Sequence, residues 1–185
     1  AKISYKGEEA DLCLCRTKAH FSNENGDRVL TLDPVDIEFS DLTLTVCTKI
    51  HFEEGSSKIR YERKITNMSN PLAKVSINEY MVACYGTTEY SEDMTSIKLD
   101  IKAQSGDKHI DYAYKCREEA VLGASLVSAL VPPINTLVSM NTDKKDATGY
   151  VKEGYAFSPM FTLGYTFEAK NEEEYSTWLN LEKAN

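Results

Sequence analysis

A chain of 185 residues suits a single domain and is long enough to bury a core without disulfides or metals to staple it. Hydrophobic residues make up 42% and charged residues 27%, which excludes general disorder. The formal net charge of −8 argues against a nucleic-acid backbone or an anionic membrane surface as the main partner.

Ile3 and Tyr5 predict a short first strand ending at Gly7. Leu12 and Leu14 alternate with Cys13 and Cys15; with Ala19 and Phe21 they predict a second strand, bulged where the phase breaks. Asn25–Gly26 favours a tight hairpin, from which Val29 to Leu32 return. Asp33–Pro34 breaks the run, and Val35, Ile37 and Phe39 alternate as a further strand. Leu42, Leu44, Val46, Thr48, Ile50 and Phe52 then share one parity, with Thr43, Thr45, Cys47, Lys49 and His51 on the other. This is the pattern of a long half-buried strand. Glu54 to Ser57 turn the chain, and Ile59, Tyr61 and Ile65 bring it back as a hairpin. Lys58, Arg60, Arg63 and Lys64, interrupted by Glu62, are expected to form a solvated strand face.

Asn67 to Pro71 is a strong turn signal and contains a glycosylation triplet, Asn67–Met68–Ser69. A strand from Ala73 to Cys84 follows, then a polar loop from Gly86 to Asp93. Ile97 to Lys102 and Ile110 to Cys116 predict a second hairpin around Ser105–Gly106–Asp107. Arg117 to Leu130 fits helix or strand, and the acidic first turn leans it toward a short helix or irregular segment ended by Pro132–Pro133. Ile134 to Met140 and Phe161 to Ala169 are strands. Asn171 with Glu174 resembles a capping box, and Tyr175, Trp178 and Leu179 fall at helical spacing, predicting a short C-terminal helix. About nine strands joined mostly by turns give an all-β fold: an antiparallel β-sandwich, with a β-barrel as the alternative, in one domain over residues 1–185.

Little in the chain marks chemistry. The five cysteines contain no CxxC pair, and the histidines, His20, His51 and His109, show no zinc spacing; His51 falls on the solvent face of the long strand. There is no GxSxG elbow and no phosphate-binding glycine loop, so no metal or other cofactor is expected. Asp36 with Glu38, and Glu92 with Asp93, are the conceivable carboxylate pairs; Asp33, Asp36 and Asp41, or Asp143 and Asp146, are conceivable calcium ligands.

Eleven tyrosines against one tryptophan stand out. Tyr85, Tyr90, Tyr150 and Tyr155 flank loops and form a candidate contact surface. The long hairpin is long enough to project and pair with a neighbour's sheet. The sequence therefore points to a non-catalytic assembly protein, a surface, filament or virion component, with itself or another protein as partner. The alternative is a carbohydrate-binding β-sandwich with Tyr85, Tyr90 or Trp178 as a stacking platform. A hydrolase built on a carboxylate pair is a third reading. Neither nucleic acid nor membrane insertion is expected: the longest apolar-rich stretch, Ala120 to Val138, is broken by Gly123, Pro132 and Pro133.

Overall fold

The computed structural model describes residues 1–69, 72–84, 98–105, 107–115, 119–122, 125–131, 135–155, 158–170 and 172–184. Among these the chain is almost entirely antiparallel strand in two sheets, with one 3-10 turn and no closed barrel. It divides into two compact units: Ala1–Glu79 with Thr166–Trp178, and Tyr80–Tyr165 with Leu179–Asn185.

In the first unit, β1 (Lys2–Tyr5) pairs with β2 (Glu8–Asp11), and a 3-10 turn follows at Leu12–Leu14. β3 (Ala19–Glu24), β4 (Asp27–Phe39), β5 (Leu42–Phe52) and β6 (Lys58–Asn67) are consecutive antiparallel strands. The unit also takes residues from β7 (Val75–Cys84), β14 (Ser158–Ala169) and β15 (Glu172–Lys183). Its strands run β3-β4-β5-β6-β15 in one sheet and β14-β7-β1-β2 in the other.

The β3–β4 turn is the tight hairpin expected from Asn25–Gly26. Glu24 pairs with Asp27, and the two linking residues have φ of 53° and 94°. Positive φ at both positions suits the right-handed twist of the strands, and glycine meets it without a Cβ penalty. The alternation in β5 is real: Leu42, Leu44 and Val46 are at most 3% exposed. Together with Ile65 of β6 and Ile3 and Ile77 of the other sheet they are fully packed, and each such side chain stabilises by about 1.5–3 kcal/mol. Phe167 and Tyr175 meet edge-on, their ring centres 4.8 Å apart.

β4 is one strand of thirteen residues rather than two. Asp33 and Pro34 oppose the single residue Cys47, since Leu32 pairs with Thr48 and Val35 with Val46. This is a β-bulge. It absorbs the break in alternation, so Leu30 and Leu32 before it face the same side as Val35, Ile37 and Phe39 after it.

In the second unit, β8 (Lys98–Ser105) and β9 (Lys108–Lys115) form the second expected hairpin, with Ile101 opposite Tyr112. β11 (Leu126–Val131) pairs with β8 and with β12 (Thr136–Thr142), and β10 (Glu119–Leu122) pairs with β13 (Thr148–Tyr155). Ile101, Val127, Ala129, Leu163 and Tyr165 are buried in this unit.

Several expectations are corrected. The C-terminal helix is the strand β15. Tyr175 and Thr177 are buried two apart, so the period is 2, and the spacing of Tyr175, Trp178 and Leu179 matched a helix by coincidence. Glu119–Leu122 and Leu126–Val131 are the strands β10 and β11, where a short helix or irregular segment was expected. Cys13 lies in the 3-10 turn and Cys15 closes it, where a strand was expected; Asp11 caps the turn by accepting from the Cys13 N–H at 3.0 Å. Cys15 and Cys47 are free thiols. In the sheet β4 lies beside β5 and β15 beside β6, so the long hairpin is an inner pair of strands rather than an edge. The Asn67 amide nitrogen is buried. No helix among the described residues is long and apolar enough to cross a membrane.

Candidate functional site

The inner face of β3–β6, in the first unit, is built from cross-strand rows. At the packed end Val35, Val46 and Ile65 lie side by side. The next row is Ala19, Leu32, Thr48 and Arg63, then Phe21, Leu30, Ile50 and Tyr61, then Asn23, Arg28, Phe52 and Ile59. Burial falls along this series. Val46 is 3% exposed, Ile50 and Phe52 are half-buried, and Phe21 is 62% exposed. The inner face therefore emerges from the core toward the hairpin tips.

Where it emerges there is an open groove of about 810 Å³, lined by Phe21, Asn23, Arg28, Phe52, Glu53 and Glu54 with Ser22 and Gly26. The Arg28 guanidinium lies 5.6 Å from the Phe21 ring centre, a cation–π distance that holds the charge over the ring. The groove thus combines two aromatic rings, a guanidinium, an amide and two carboxylates.

Deeper along the same face lies a cavity of about 200 Å³, with Leu12, Leu32, Val35, Val46, Ile50 and Tyr61 in its walls and Thr48 and Arg63 at its polar side. Arg63 is buried, correcting its expected place on a solvated basic face. Lys58, Arg60, Glu62 and Lys64 share one parity, whereas Arg63 has the other. Its Nε and Nη2 donate to the two oxygens of Glu79, and its Nη1 donates to Thr48 Oγ1 at 2.9 Å. The Tyr175 hydroxyl donates to Glu79 Oε1 at 2.7 Å. Burial alone would push the Glu79 carboxyl up, but the Arg63 charge and these hydrogen bonds outweigh it and hold the group below its usual range. Burial pushes the Tyr61 phenol up.

The opposite face of the same strands carries an ionic cluster. Lys49 Nζ lies 3.0 Å from Glu24 Oε2 and holds that carboxyl below its usual range. His51, expected on the solvent side, does point away from the inner face, yet it is only 7% exposed. Arg60 and Glu62 flank it: Arg60 Nη2 lies 3.0 Å from His51 Nδ1, and Arg60 Nη1 donates to Glu62 Oε2 at 2.8 Å. Two carboxylates also face the ring: Glu62 Oε2 lies 3.4 Å from Nε2 and Asp27 Oδ2 3.7 Å from Nδ1.

The other sequence-derived candidates are dispersed. Tyr150 is 6% exposed in β13, with Lys152 Nζ 5.4 Å from its ring centre; Tyr155 ends the same strand. Tyr85, Tyr90, Glu92 and Asp93 lie outside the described residues. Trp178 is half-buried on β15. Asp36 and Glu38 are exposed on β4, where Asp36 accepts from Thr45 Oγ1 at 2.7 Å. His20 and His109 are exposed strand residues, and no group of three potential metal ligands occurs among the described residues. Sequence reasoning did not single out Phe21, Arg28 or Phe52. Their shared inner parity beside the hairpin turns was the available signal.

The sequence matches no protein-family model, and no curated protein matches it. Solved structures do resemble it. A galactose mutarotase-related enzyme from Lactobacillus acidophilus has a TM-score of 0.58 over 100% of this chain and 79% of its own, at 8% identity. A galactose mutarotase-like protein from Lactobacillus casei has a TM-score of 0.62 over 89% of this chain and 73% of its own, at 7% identity. A GH36 α-galactosidase from Geobacillus stearothermophilus, solved with raffinose, has a TM-score of 0.57 over 100% of this chain and 30% of its own, at 7% identity. At such identities the likeness establishes the fold. It corrects the expectation of a non-catalytic surface, filament or virion component, because this fold is one carried by mutarotase-related enzymes.

Proposed function

We propose that the protein binds carbohydrate in the groove at the tips of β3–β6. The observation that carries this reading is the exposed Phe21 ring at the groove, with Arg28 over it and Asn23, Glu53 and Glu54 around it. A pyranose has an apolar C–H face and a rim of hydroxyls, so its binder needs an aromatic surface and polar groups able to accept and donate at the edge. Phe21 and Phe52 supply the surface. The carboxylates accept, the guanidinium donates, and the amide does both. The mutarotase-like fold supports the same reading by analogy.

Titration calorimetry against a panel of neutral mono- and disaccharides tests it. At least one sugar is expected to bind, and Phe21→Ala is expected to weaken it by about tenfold or more, the equivalent of losing one buried ring face. A panel without a single binder, or affinity unchanged in Phe21→Ala and Phe52→Ala, refutes the proposal.

A further inference from the structure

The groove and the deeper cavity lie on the same face of β3–β6. Phe52, in the groove, and Ile50, in the cavity wall, are two residues apart on β5 and face the same way, about 7 Å along the strand. Phe21, in the groove, shares a cross-strand row with Ile50 and Tyr61 in the cavity. The two sites differ in chemistry. The groove is lined by charge and amide; the cavity is walled by Leu12, Leu32, Val35, Val46, Ile50 and Tyr61. Ala1, Cys13, Cys15, Thr17 and Asp33 complete its lining; the Arg63 guanidinium is matched by Glu79, and Thr48 accepts from it. A sugar ring in the cavity would bury hydroxyls against aliphatic walls, which is costly. A cavity of about 150 Å³ with such walls accepts benzene, and this one has about 200 Å³.

We infer that the ligand is an amphiphilic glycoside, with its sugar in the groove and an apolar aglycone, an aryl group or a short alkyl chain, in the cavity. This rests on the carbohydrate reading of the groove and adds the class of ligand and a second subsite.

The test is a homologous series of alkyl β-D-glucosides and alkyl β-D-galactosides from methyl to octyl, titrated below their micelle concentrations. Affinity is expected to rise about fourfold per methylene until the cavity is full, then level off. Leu32→Trp, which fills the cavity, is expected to abolish the rise while leaving the methyl glycoside bound as in the wild type. Val35→Phe serves the same purpose should the tryptophan variant fail to fold. Methyl glycosides that bind with no gain along the series overturn the aglycone subsite and leave the groove reading standing. A rise that persists in the filled variants also overturns the subsite, since it reflects partition elsewhere. If no glycoside of any chain length binds, the groove reading falls and the inference falls with it.

Discussion

The Arg63–Glu79 pair bridges the two sheets of the first unit, and removing half of it should be among the most damaging single changes there. Glu79 is 4% and Arg63 8% exposed. In Glu79→Gln the guanidinium keeps its charge and its burial but loses the opposing carboxylate. Stranding one member of a buried pair costs about 3–5 kcal/mol. For a chain of this size that corresponds to roughly 6–20 °C in melting temperature, at about 2–4 °C per kcal/mol. The double variant Arg63→Met with Glu79→Leu removes both charges and should recover most of the loss, because an apolar pair of similar volume avoids the desolvation cost. The pH dependence has a definite sign. The folded carboxyl lies below its unfolded value, so its contribution is complete above that value, about 4.3 for glutamate, and is lost as pH falls through the folded one. Wild type should therefore lose stability in acid below about pH 4 more steeply than Glu79→Gln. Thermal and urea unfolding followed by circular dichroism measures all of this. Glu79→Gln within 1 kcal/mol of wild type, or strictly additive single changes in the double variant, would refute the reasoning.

Tyr175→Phe removes the third hydrogen bond to Glu79 and should cost about 1.5–3 kcal/mol in urea unfolding, the range for a bond to a charged group; a loss of only a few tenths speaks against the network. Gly26→Val places a branched side chain at φ 94° and should destabilise by about 1–2 kcal/mol, read in the same assay. Lys64→Ala breaks the exposed contact to Glu172 and should leave the unfolding midpoint unchanged, because solvent screens such pairs. A clear shift there would mean that the pair is more ordered than its exposure implies.

What the sequence revealed depended on whether a signal was local. The alternation in β5 and the Asn25–Gly26 turn are properties of neighbouring residues, and both were legible. β15 was misread because Tyr175, Trp178 and Leu179 satisfy a helical spacing while Tyr175 and Thr177 satisfy a strand, and only the ladder decides between them. Arg63 was grouped with its charged neighbours although its parity already set it apart. That its partner is Glu79, sixteen residues away, could not be known before the sheets were brought together. The groove was hidden for a similar reason. Phe21, Arg28 and Phe52 each look like ordinary inward strand residues, and what distinguishes them is that the inner face continues beyond the packed core.

The bulge at Asp33–Pro34 gives β4 one place where it can lose a residue without turning any side chain over. Removing one of the two leaves a single residue opposite Cys47, so strict alternation returns with Arg28, Leu30 and Leu32 still on the face of Val35, Ile37 and Phe39. What such a loss takes away is the bend and the added twist that an extra residue imposes on its strand. The two halves of β4 would meet at a different angle, one carrying Arg28 to the groove and the other carrying Val35 and Ile37 to the packed end. A coding change of a single codon would thus re-aim the groove while leaving every residue that lines it in place.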